Sequence, residues 1–198
     1  MNHLTGVTEL RNRYFLMRHG QSKANVAGII VSSLARDAGG DYGLTDPGRD
    51  QVLASAAASG LGEDTVICSS PFARARQTAE ITREHLGAPP VTTEDALRER
   101  YFGDWDGTAT ANYDKVWADD QAGRTGPGVE PAAEVLDRVT SLVAKLDAAH
   151  DSATVLLVSH GDALQILQAG FLGLDPANHR VLKHLETAEI REAIRART

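Results

Sequence analysis

The sequence predicts an α/β fold, a three-layer α/β/α sandwich around a mainly parallel central sheet. Two patterns and the chain length carry this prediction. Short apolar runs that stop at polar residues alternate with segments whose apolar residues recur at helical spacing, which is typical of strand–helix–strand units. The 198 residues suit one domain, and no linker divides them, so we expect a single domain over residues 1–198.

Three short apolar runs are predicted to be the strands of this sheet. They cover residues 14–17, 65–68 and 155–158. Each run has the length of a strand and ends abruptly at polar residues, which is typical of a strand buried inside an α/β protein.

Three segments between and around these runs are predicted to be helices. Residues 45–58 begin at Thr45, a residue type that caps helix N-termini, and residues 70–86 are followed by Gly87, a common helix stop. Residues 135–146 place their valines and leucines along one helical face, which is a strong amphipathic signal.

The remaining long segments are expected to be irregular. Residues 28–44 are rich in glycine, and residues 101–130 form a lid-like insertion that holds Trp105 and Trp117. Stretches of this size in a compact domain are usually binding loops or lids. We expect both tryptophans to serve in packing, with a role in substrate contact left open, and we expect a helix of unknown contact in the tail over residues 186–198.

Composition and charge narrow the classes of partner. The net charge of −7 and the pI near 5.5 disfavour a surface for nucleic acid or for anionic membranes. Residues 1–12 contain no apolar segment of the kind found in secretory signals, and the single cysteine, Cys68, fits a reducing compartment. We therefore expect a cytoplasmic protein without a nucleic-acid or membrane partner.

Basic side chains follow all three predicted strands. Arg18 and His19 follow the first strand, Arg74 lies shortly after the second, and His160 follows the third. Because ligands of open α/β sheets bind beyond the carboxyl ends of parallel strands, these four side chains are expected to meet at one edge. Such a cluster favours an anion-binding site inside an otherwise acidic protein.

Five ordered segments then resemble the motifs of the histidine phosphatase superfamily, the phosphoglycerate-mutase-like proteins. The resemblance spans about residues 13–172, and the order of the segments makes it far more specific than its Arg-His-Gly triplet alone. The segments are Leu16-Met17-Arg18-His19-Gly20-Gln21-Ser22 with Asn25, Gly43-Leu44-Thr45 with Gly48 and Gln51, Ser69-Ser70-Pro71-Phe72-Ala73-Arg74-Ala75 with Thr78 and Ala79, Leu97-Arg98-Glu99 with Gly103 and Trp105-Asp106-Gly107, and Val158-Ser159-His160-Gly161.

The resemblance implies a phosphoglycerate mutase-like fold and a role for each matching residue. His19 would be the nucleophile that becomes a phosphohistidine, and Glu99 would donate the proton to the leaving group. Three basic side chains would hold the phosphoryl oxygens, and four further residues would contact the substrate. The phosphoryl-binding residues are Arg18, Arg74 and His160, and the substrate-contacting residues are Ser22, Asn25, Arg100 and Gly161.

Elementary chemistry agrees with these roles. A nucleophilic imidazole must be neutral, and two neighbouring guanidiniums disfavour a further positive charge on His19. Guanidiniums also match phosphate oxygens and stabilise a loose phosphoryl transition state without a metal. The sequence contains no motif of a metal site, so we expect no metal and no cofactor.

The sequence contains a second acidic residue that could donate the proton, and five further histidines. Asp162 is a weaker candidate for the acid, since a residue at this position can simply cap the following helix. The remaining histidines are interpreted as ordinary polar residues because they share no ligand spacing. They are His3, His85, His150, His179 and His184.

The sequence favours a phosphatase over a mutase within this superfamily. A mutase of this family holds its second anionic group with a pair of adjacent arginines, whereas residues 108–123 contain Lys115 as their only cation. Arg100 does match a mutase arginine, which leaves recognition of a carboxylate open. We therefore predict a metal-independent phosphoric monoester hydrolase of the histidine acid phosphatase type, acting on a small phosphorylated metabolite.

The alternatives to this prediction are a cofactor-dependent phosphoglycerate mutase and a non-catalytic protein that binds a phosphorylated ligand. A binding protein would need neither the nucleophile nor the acid, which counts against it. Association into a homodimer stays open from the sequence.

Overall fold

The structure, a computed structural model, describes residues 1–194 and contains one five-stranded sheet in that range. The spatial order of the strands is β3-β2-β4-β1-β5, with all neighbours parallel except β5, which runs antiparallel to β1. The mainly parallel sheet predicted from the sequence is confirmed. The strands are β1 (Arg13–Arg18), β2 (Val66–Ser69), β3 (Thr92–Thr93), β4 (Thr154–Ser159) and β5 (Ile190–Glu192).

Seven α-helices surround this sheet in the described part of the chain, together with four short 3-10 segments. The helices are α1 (Lys23–Ala27), α2 (Leu34–Asp37), α3 (Asp46–Ala58), α4 (Ala73–Leu86), α5 (Tyr113–Gln121), α6 (Ala132–Ala149) and α7 (Gly161–Leu172). The 3-10 segments are Asp95–Leu97, Gly103–Trp105, Thr110–Asn112 and Pro176–Val181. None of the helices described between residues 1 and 194 is both long and apolar enough to cross a membrane.

The helices cover both faces of the sheet, which makes the three layers that the sequence predicts. Along β4, Val155 and Leu157 belong to the apolar cluster that contains α6 and α7, whereas Leu156 and Val158 belong to the cluster on the side of α3 and α4. This alternation follows from the two-residue period of a strand. All four side chains are fully buried, so β4 is the central element of the core.

The three predicted strands and the predicted helices over residues 45–58, 70–86 and 135–146 have counterparts in the structure, with small shifts at the ends. Thr45 caps α3, since its hydroxyl accepts a hydrogen bond from the amide of Gly48 at 3.1 Å. The helix predicted from residue 70 begins instead at Ala73, after Phe72, and it ends before Gly87 as expected.

Two strands at the edges of the sheet were not predicted. β3 consists of two threonines, and β5 consists of Ile190, Arg191 and Glu192, so neither is long enough to carry an apolar pattern that the sequence could reveal. The expectation of a helix in the tail is wrong for its described part, because residues 190–192 pair with β1 instead. Residues 195–198 of that tail lie outside the described residues.

The segment 101–130 is more ordered than the sequence suggested. It contains α5, and its apolar side chains Phe102, Val116 and Val129 form a small separate cluster with Ile30 from the segment 28–44. Hydrogen bonds to the carboxylate of Asp106 join the same two segments. The donors are the amide and hydroxyl of Ser32, the hydroxyl of Ser33 and the guanidinium of Arg36.

Candidate active site

The carboxyl ends of β1 and β4 bring two histidines together. The strands are adjacent, and their register pairs Arg18 with Ser159, so the residues that follow each strand become neighbours. The imidazole rings of His19 and His160 lie edge to face with centroids 5.2 Å apart. Both side chains are buried, at 3% and 0% exposure.

The imidazole of His19 is held with one nitrogen directed to the cluster of basic side chains. Its Nδ1 lies 2.8 Å from the carbonyl oxygen of Gly20, which can only accept, so the proton is on Nδ1. Its Nε2 then carries the lone pair and accepts a hydrogen bond from Nε of Arg74 at 3.1 Å. Burial, and then the charges of Arg74 and Arg18, lower the pKa of His19 well below its usual value. The imidazole is therefore neutral and oriented.

Two arginines and His160 present unpaired donors in the same place. Arg74 donates through one terminal nitrogen to the carbonyl of Val31 at 2.9 Å, and Arg18 donates to the carbonyl of Leu185 at 3.0 Å. Three buried nitrogens have no hydrogen-bond partner among residues 1–194. They are Nε of Arg18, Nη1 of Arg74 and Nδ1 of His160.

The contacts of Ser70 favour a proton on Nδ1 of His160. The hydroxyl of Ser70 accepts from the amide of Phe72 at 3.3 Å and lies 2.7 Å from Nε2 of His160. A hydroxyl that donates to Nε2 leaves the imidazole proton on Nδ1. Because unpaired buried donors cost free energy, these nitrogens indicate a site for an anion with several oxygens.

Glu99 is a buried carboxyl group at the N-terminus of α7. Its Oε1 accepts hydrogen bonds from the amides of Arg100 at 3.0 Å and Ala163 at 3.3 Å. Burial, and then the negative charge of Asp162, raise the pKa of Glu99 to about 7. A substantial fraction of this side chain is therefore protonated near neutral pH, which suits a proton donor.

Asp162 is ionised and cannot serve as that donor. Its Oδ1 accepts from Nε1 of Trp117 at 2.8 Å and lies 2.9 Å from Nε2 of His179. Burial alone would raise its pKa, but His179, Arg100 and Trp117 together hold the pKa of Asp162 at about 2. Asp162 also makes no side-chain hydrogen bond that caps α7. Asp162 is therefore neither the proton donor nor the helix cap that the sequence offered.

His179 was interpreted from the sequence as an ordinary polar residue, and the structure gives it a definite role in packing. It is fully buried and bridges the carbonyl of Pro176, 2.7 Å from its Nδ1, to Asp162. No spacing in the sequence indicates this pair, because the two residues lie on different elements.

Arg100 lies elsewhere than the sequence predicted, and its assignment as a substrate contact is corrected. Its guanidinium is fully buried, with Nη1 2.6 Å and Nη2 2.8 Å from the two carboxylate oxygens of Asp120. Nη1 is also 3.2 Å from Asp162, and Nε donates to the carbonyl of Glu130 at 2.7 Å. Two carboxylates and a carbonyl thus bind the guanidinium, and Arg100 does not line the cavity.

Removing this buried guanidinium should destabilise the protein. We expect Arg100→Met to lower the free energy of unfolding by about 3–5 kcal/mol, because Asp120 and Asp162 would be left as buried charges without their partner. Urea denaturation monitored by circular dichroism measures this change. Arg124→Gln, which removes an exposed ion pair with Asp119, is the control and should cost no more than about 1 kcal/mol. Equal losses in both variants would contradict the assignment.

A cavity of about 210 Å³ opens above these groups. It includes most of the predicted site residues. It also includes Trp117, whose contact with substrate the sequence left open, and further aromatic and basic side chains that the sequence did not assign to the site. The predicted residues are Arg18, His19, Ser22, Asn25, Arg74, Glu99 and Gly161, and the additional ones include Tyr113, Trp117, Arg180 and His184. Among residues 1–194, no group of three or more His, Cys, Asp or Glu side chains is arranged to hold a metal ion.

Ser22 and Asn25 form the capping box of α1 at the edge of this cavity. The amide and hydroxyl of Ser22 donate to Oδ1 of Asn25 at 2.9 and 3.0 Å, and the hydroxyl of Ser22 accepts from the amide of Asn25 at 3.3 Å. The hydroxyl of Ser22 is therefore engaged by the helix end. Nδ2 of Asn25 makes no hydrogen bond to any residue in the range 1–194.

The sequence matches the family model of the histidine phosphatase superfamily, branch 1, over residues 14–196. A glucosyl-3-phosphoglycerate phosphatase of Mycolicibacterium vanbaalenii is 33% identical over 185 residues, covering 86% of this chain and 78% of the relative. An adenosylcobalamin/α-ribazole phosphatase of Salmonella typhimurium is 30% identical over 174 residues, covering 84% and 82%.

The fold is likewise similar to solved structures. A mycobacterial glucosyl-3-phosphoglycerate phosphatase in complex with inorganic phosphate superposes with a TM-score of 0.74 at 28% sequence identity. The superposition covers 92% of this chain and 93% of that one.

Proposed function

Since this chain belongs to the histidine phosphatase superfamily, we propose that it hydrolyses a small phosphorylated metabolite through a phosphohistidine on His19. The relatives described above are phosphatases of small phosphorylated metabolites, which supports a phosphoric monoester hydrolase. The observation that carries the proposal is the neutral imidazole of His19 beside three unpaired buried donors. A nucleophile and a site for phosphoryl oxygens are thus combined in one pocket.

The first step transfers the phosphoryl group to His19. Its Nε2 attacks phosphorus, the bond between phosphorus and the ester oxygen breaks, and protonated Glu99 gives its proton to the departing oxygen. Arg18, Arg74 and His160 donate to the phosphoryl oxygens and stabilise the charge of the transition state. Placing a carboxylic acid beside the leaving group contributes roughly 10² to 10⁴ in rate.

The second step returns the enzyme to its starting state. The carboxylate of Glu99 takes a proton from water, the water oxygen attacks phosphorus, and the bond between phosphorus and Nε2 breaks. The products of the two steps are the alcohol and inorganic phosphate, and Glu99 is protonated again. All atoms and protons balance without a metal or a cofactor.

Two further contacts complete the proposed phosphate site. Nδ2 of Asn25 would donate to the phosphate, while Ser22 would position Asn25 through the capping box. Gly161 begins α7, whose N-terminal amides and partial positive charge favour an anion. A Cβ atom at residue 161 would lie 3.6 Å from the guanidinium carbon of Arg18, so Gly161 directly neighbours this arginine.

The activity is tested by phosphate release from a panel of phosphorylated metabolites in the presence of EDTA. The panel includes 3-phosphoglycerate with and without 2,3-bisphosphoglycerate, and each reaction is also assayed for 2-phosphoglycerate. Metal-independent phosphate release supports the proposal. Isomerisation without net phosphate release would identify a mutase instead, and tight binding without turnover would identify a binding protein.

The pH dependence of kcat/KM is a second prediction. Because Glu99 must be protonated to assist the leaving group and its pKa is raised to about 7, kcat/KM should fall tenfold per pH unit above that value. The low pKa of His19 keeps the nucleophile neutral over the same range. Steady-state kinetics between pH 5 and 9 measure the profile, and a flat profile through pH 8 would contradict the assignment of Glu99 as the acid.

The cytoplasmic location and the homodimer stay predictions. The first rests on the composition and on the single cysteine, which is buried. Size-exclusion chromatography with light scattering would measure the second.

A further inference from the structure

A third arginine lines the cavity, and the proposed phosphoryl transfer does not use it. Arg180 lies in the 3-10 segment Pro176–Val181, with its guanidinium carbon 3.7 Å from the ring centroid of Trp117. Its Nη1 donates to Oε1 of Gln165. These two contacts fix the guanidinium, while its Nε and Nη2 make no hydrogen bond to any residue between 1 and 194.

The surface beneath Arg180 is itself rigid. Trp117 is stacked on Tyr113 with ring planes 10° apart and donates its indole N–H to Asp162. Gln165 belongs to α7, the helix that begins beside His160. The guanidinium is therefore held between the helix α5 and the helix α7, and a ligand would meet donors that are already oriented.

No carboxylate within residues 1–194 forms an ion pair with Arg180. Asp162 is near enough to act on its charge, but its oxygens are bound by Trp117, His179 and Arg100. Asp114 also acts only from a distance. Burial, and to a smaller extent Arg18, lower the pKa of Arg180, so its positive charge is not fully compensated.

His184, the other additional basic residue of the cavity, differs in this respect. Its Nε2 lies 3.1 Å from a carboxylate oxygen of Glu186, and both side chains are exposed. The side chain of His184 is therefore paired with Glu186 at the exposed surface, whereas the charge of Arg180 faces the cavity.

The free donors and charges of the cavity then favour one substrate class. A phosphate ester carries a charge near −2 at neutral pH, which Arg18 and Arg74 balance. Asp162 also lines the cavity, but its oxygens are bound by Trp117, His179 and Arg100, whereas Nε and Nη2 of Arg180 have no partner among residues 1–194. These two donors match the planar fork that binds a carboxylate, which brings one negative charge, whereas a second phosphate would bring about two next to the ionised Asp162.

We propose that Arg180 binds a carboxylate that the substrate carries a few bonds from its phosphate ester, so that the preferred substrates are small phosphorylated acids. This inference rests on the proposed function in taking the pocket of Arg18 and Arg74 as the phosphate site. Arg180 acts in recognition and takes no part in bond breaking.

The test compares two ligands that cannot be hydrolysed and that differ only in the second group. Calorimetry measures the Kd of 3-phosphonopropionate and of propylphosphonate, in which a methyl group replaces the carboxylate. We expect the wild-type protein to bind 3-phosphonopropionate about 10- to 100-fold more tightly, as for a charge-assisted hydrogen-bonded pair. Arg180→Gln should lose this preference and bind propylphosphonate within about twofold of wild type. Arg180→Lys should keep part of the preference, since it keeps the charge without the fork.

Arg124→Gln, an exposed arginine far along the chain from Arg180, is the matched control and should leave both Kd values unchanged. Equal affinity of the wild-type protein for the two ligands, binding of neither, or a preference that survives in Arg180→Gln would each overturn the proposal. Because phosphonates report binding alone, a preference that depends on Arg180 in a protein that releases no phosphate would refute the proposed hydrolysis and keep this inference.

Kinetics provide a second readout. On 3-phosphoglycerate, Arg180→Gln should raise KM about tenfold or more with kcat nearly unchanged, and on glycerol 3-phosphate it should change neither constant by more than about twofold. Equal losses of kcat on both substrates would indicate a general structural role and overturn the assignment.

Discussion

Replacement of His19 by alanine should reduce kcat/KM for phosphate release by a factor on the order of 10⁴ or more, because the variant removes the proposed nucleophile. Nε2 of His19 accepts only the hydrogen bond from Arg74, whereas Nε2 of His160 is engaged by Ser70. The measurement is phosphate release with the best substrate of the panel, at enzyme concentrations that would reveal a residual rate.

A second variant separates loss of chemistry from loss of structure. Asn at position 19 can still donate to the carbonyl of Gly20 but cannot attack phosphorus, so His19→Asn should be folded and equally inactive. His85→Ala, which changes an exposed histidine at the end of α4, is the control and should retain full activity.

The covalent intermediate gives an independent test. Rapid quenching with labelled substrate should trap a phosphoryl group on the wild-type protein that is stable in base and labile in acid, as a phosphoramidate is. The label should be absent from His19→Asn. Full activity of either His19 variant, or a label that persists in His19→Asn, would contradict the proposed mechanism.

Glu99→Gln should produce the second largest loss, roughly 10² to 10⁴ in kcat/KM for alkyl phosphates. The amide is similar in size to the protonated carboxyl group but has no proton to release to an alkoxide. The pH profile should also lose its fall above about pH 7, because the group that titrates there has been removed. Steady-state kinetics over the same pH range measure both effects.

The dependence on the leaving group makes this prediction specific. The nitrophenolate of p-nitrophenyl phosphate departs without a proton, so Glu99→Gln should lose far less kcat/KM on that substrate than on an alkyl phosphate. Glu63→Gln, at an exposed position before β2, is the matched control. A loss of the same size on both substrates would indicate that Glu99 organises the site rather than supplies the proton.

The main elements of this fold could be predicted from the sequence because they carry strong local patterns. β1 and β4 are continuous apolar runs, α6 has a long apolar face, and Thr45 caps α3 with its own hydroxyl. The edge strands could not be predicted, since β3 and β5 are two and three residues long and are defined by their pairing with a neighbour.

The candidate site also has features that the sequence predicts and features that only the structure reveals. His19, His160 and Arg74 follow predicted strands, so the topology of a parallel sheet brings them to one edge whatever the loops do. The sequence also marks Glu99 by its motif, but it contains no sign that burial and Asp162 raise its pKa to about 7.

Arg100 shows most clearly that the partners of a side chain cannot be predicted from the sequence. In the sequence it stands beside Glu99 and resembles a carboxylate-binding arginine, yet its partners Asp120 and Asp162 lie 20 and 62 residues away. A guanidinium binds whichever carboxylates the fold brings within about 3 Å, and the sequence does not record that distance.

The sequence by itself determined the fold class, the strand ends that carry the basic residues and the superfamily, because each depends on local pattern or on ordered motifs. Only the tertiary structure decided which arginines face the cavity. It buries Arg100 in an ion pair and holds Arg180 against Trp117 with its charge directed to the cavity. The physical reason is that the interaction energy between two side chains falls off within a few ångströms. Side chains from distant segments come that close only once those segments have packed together.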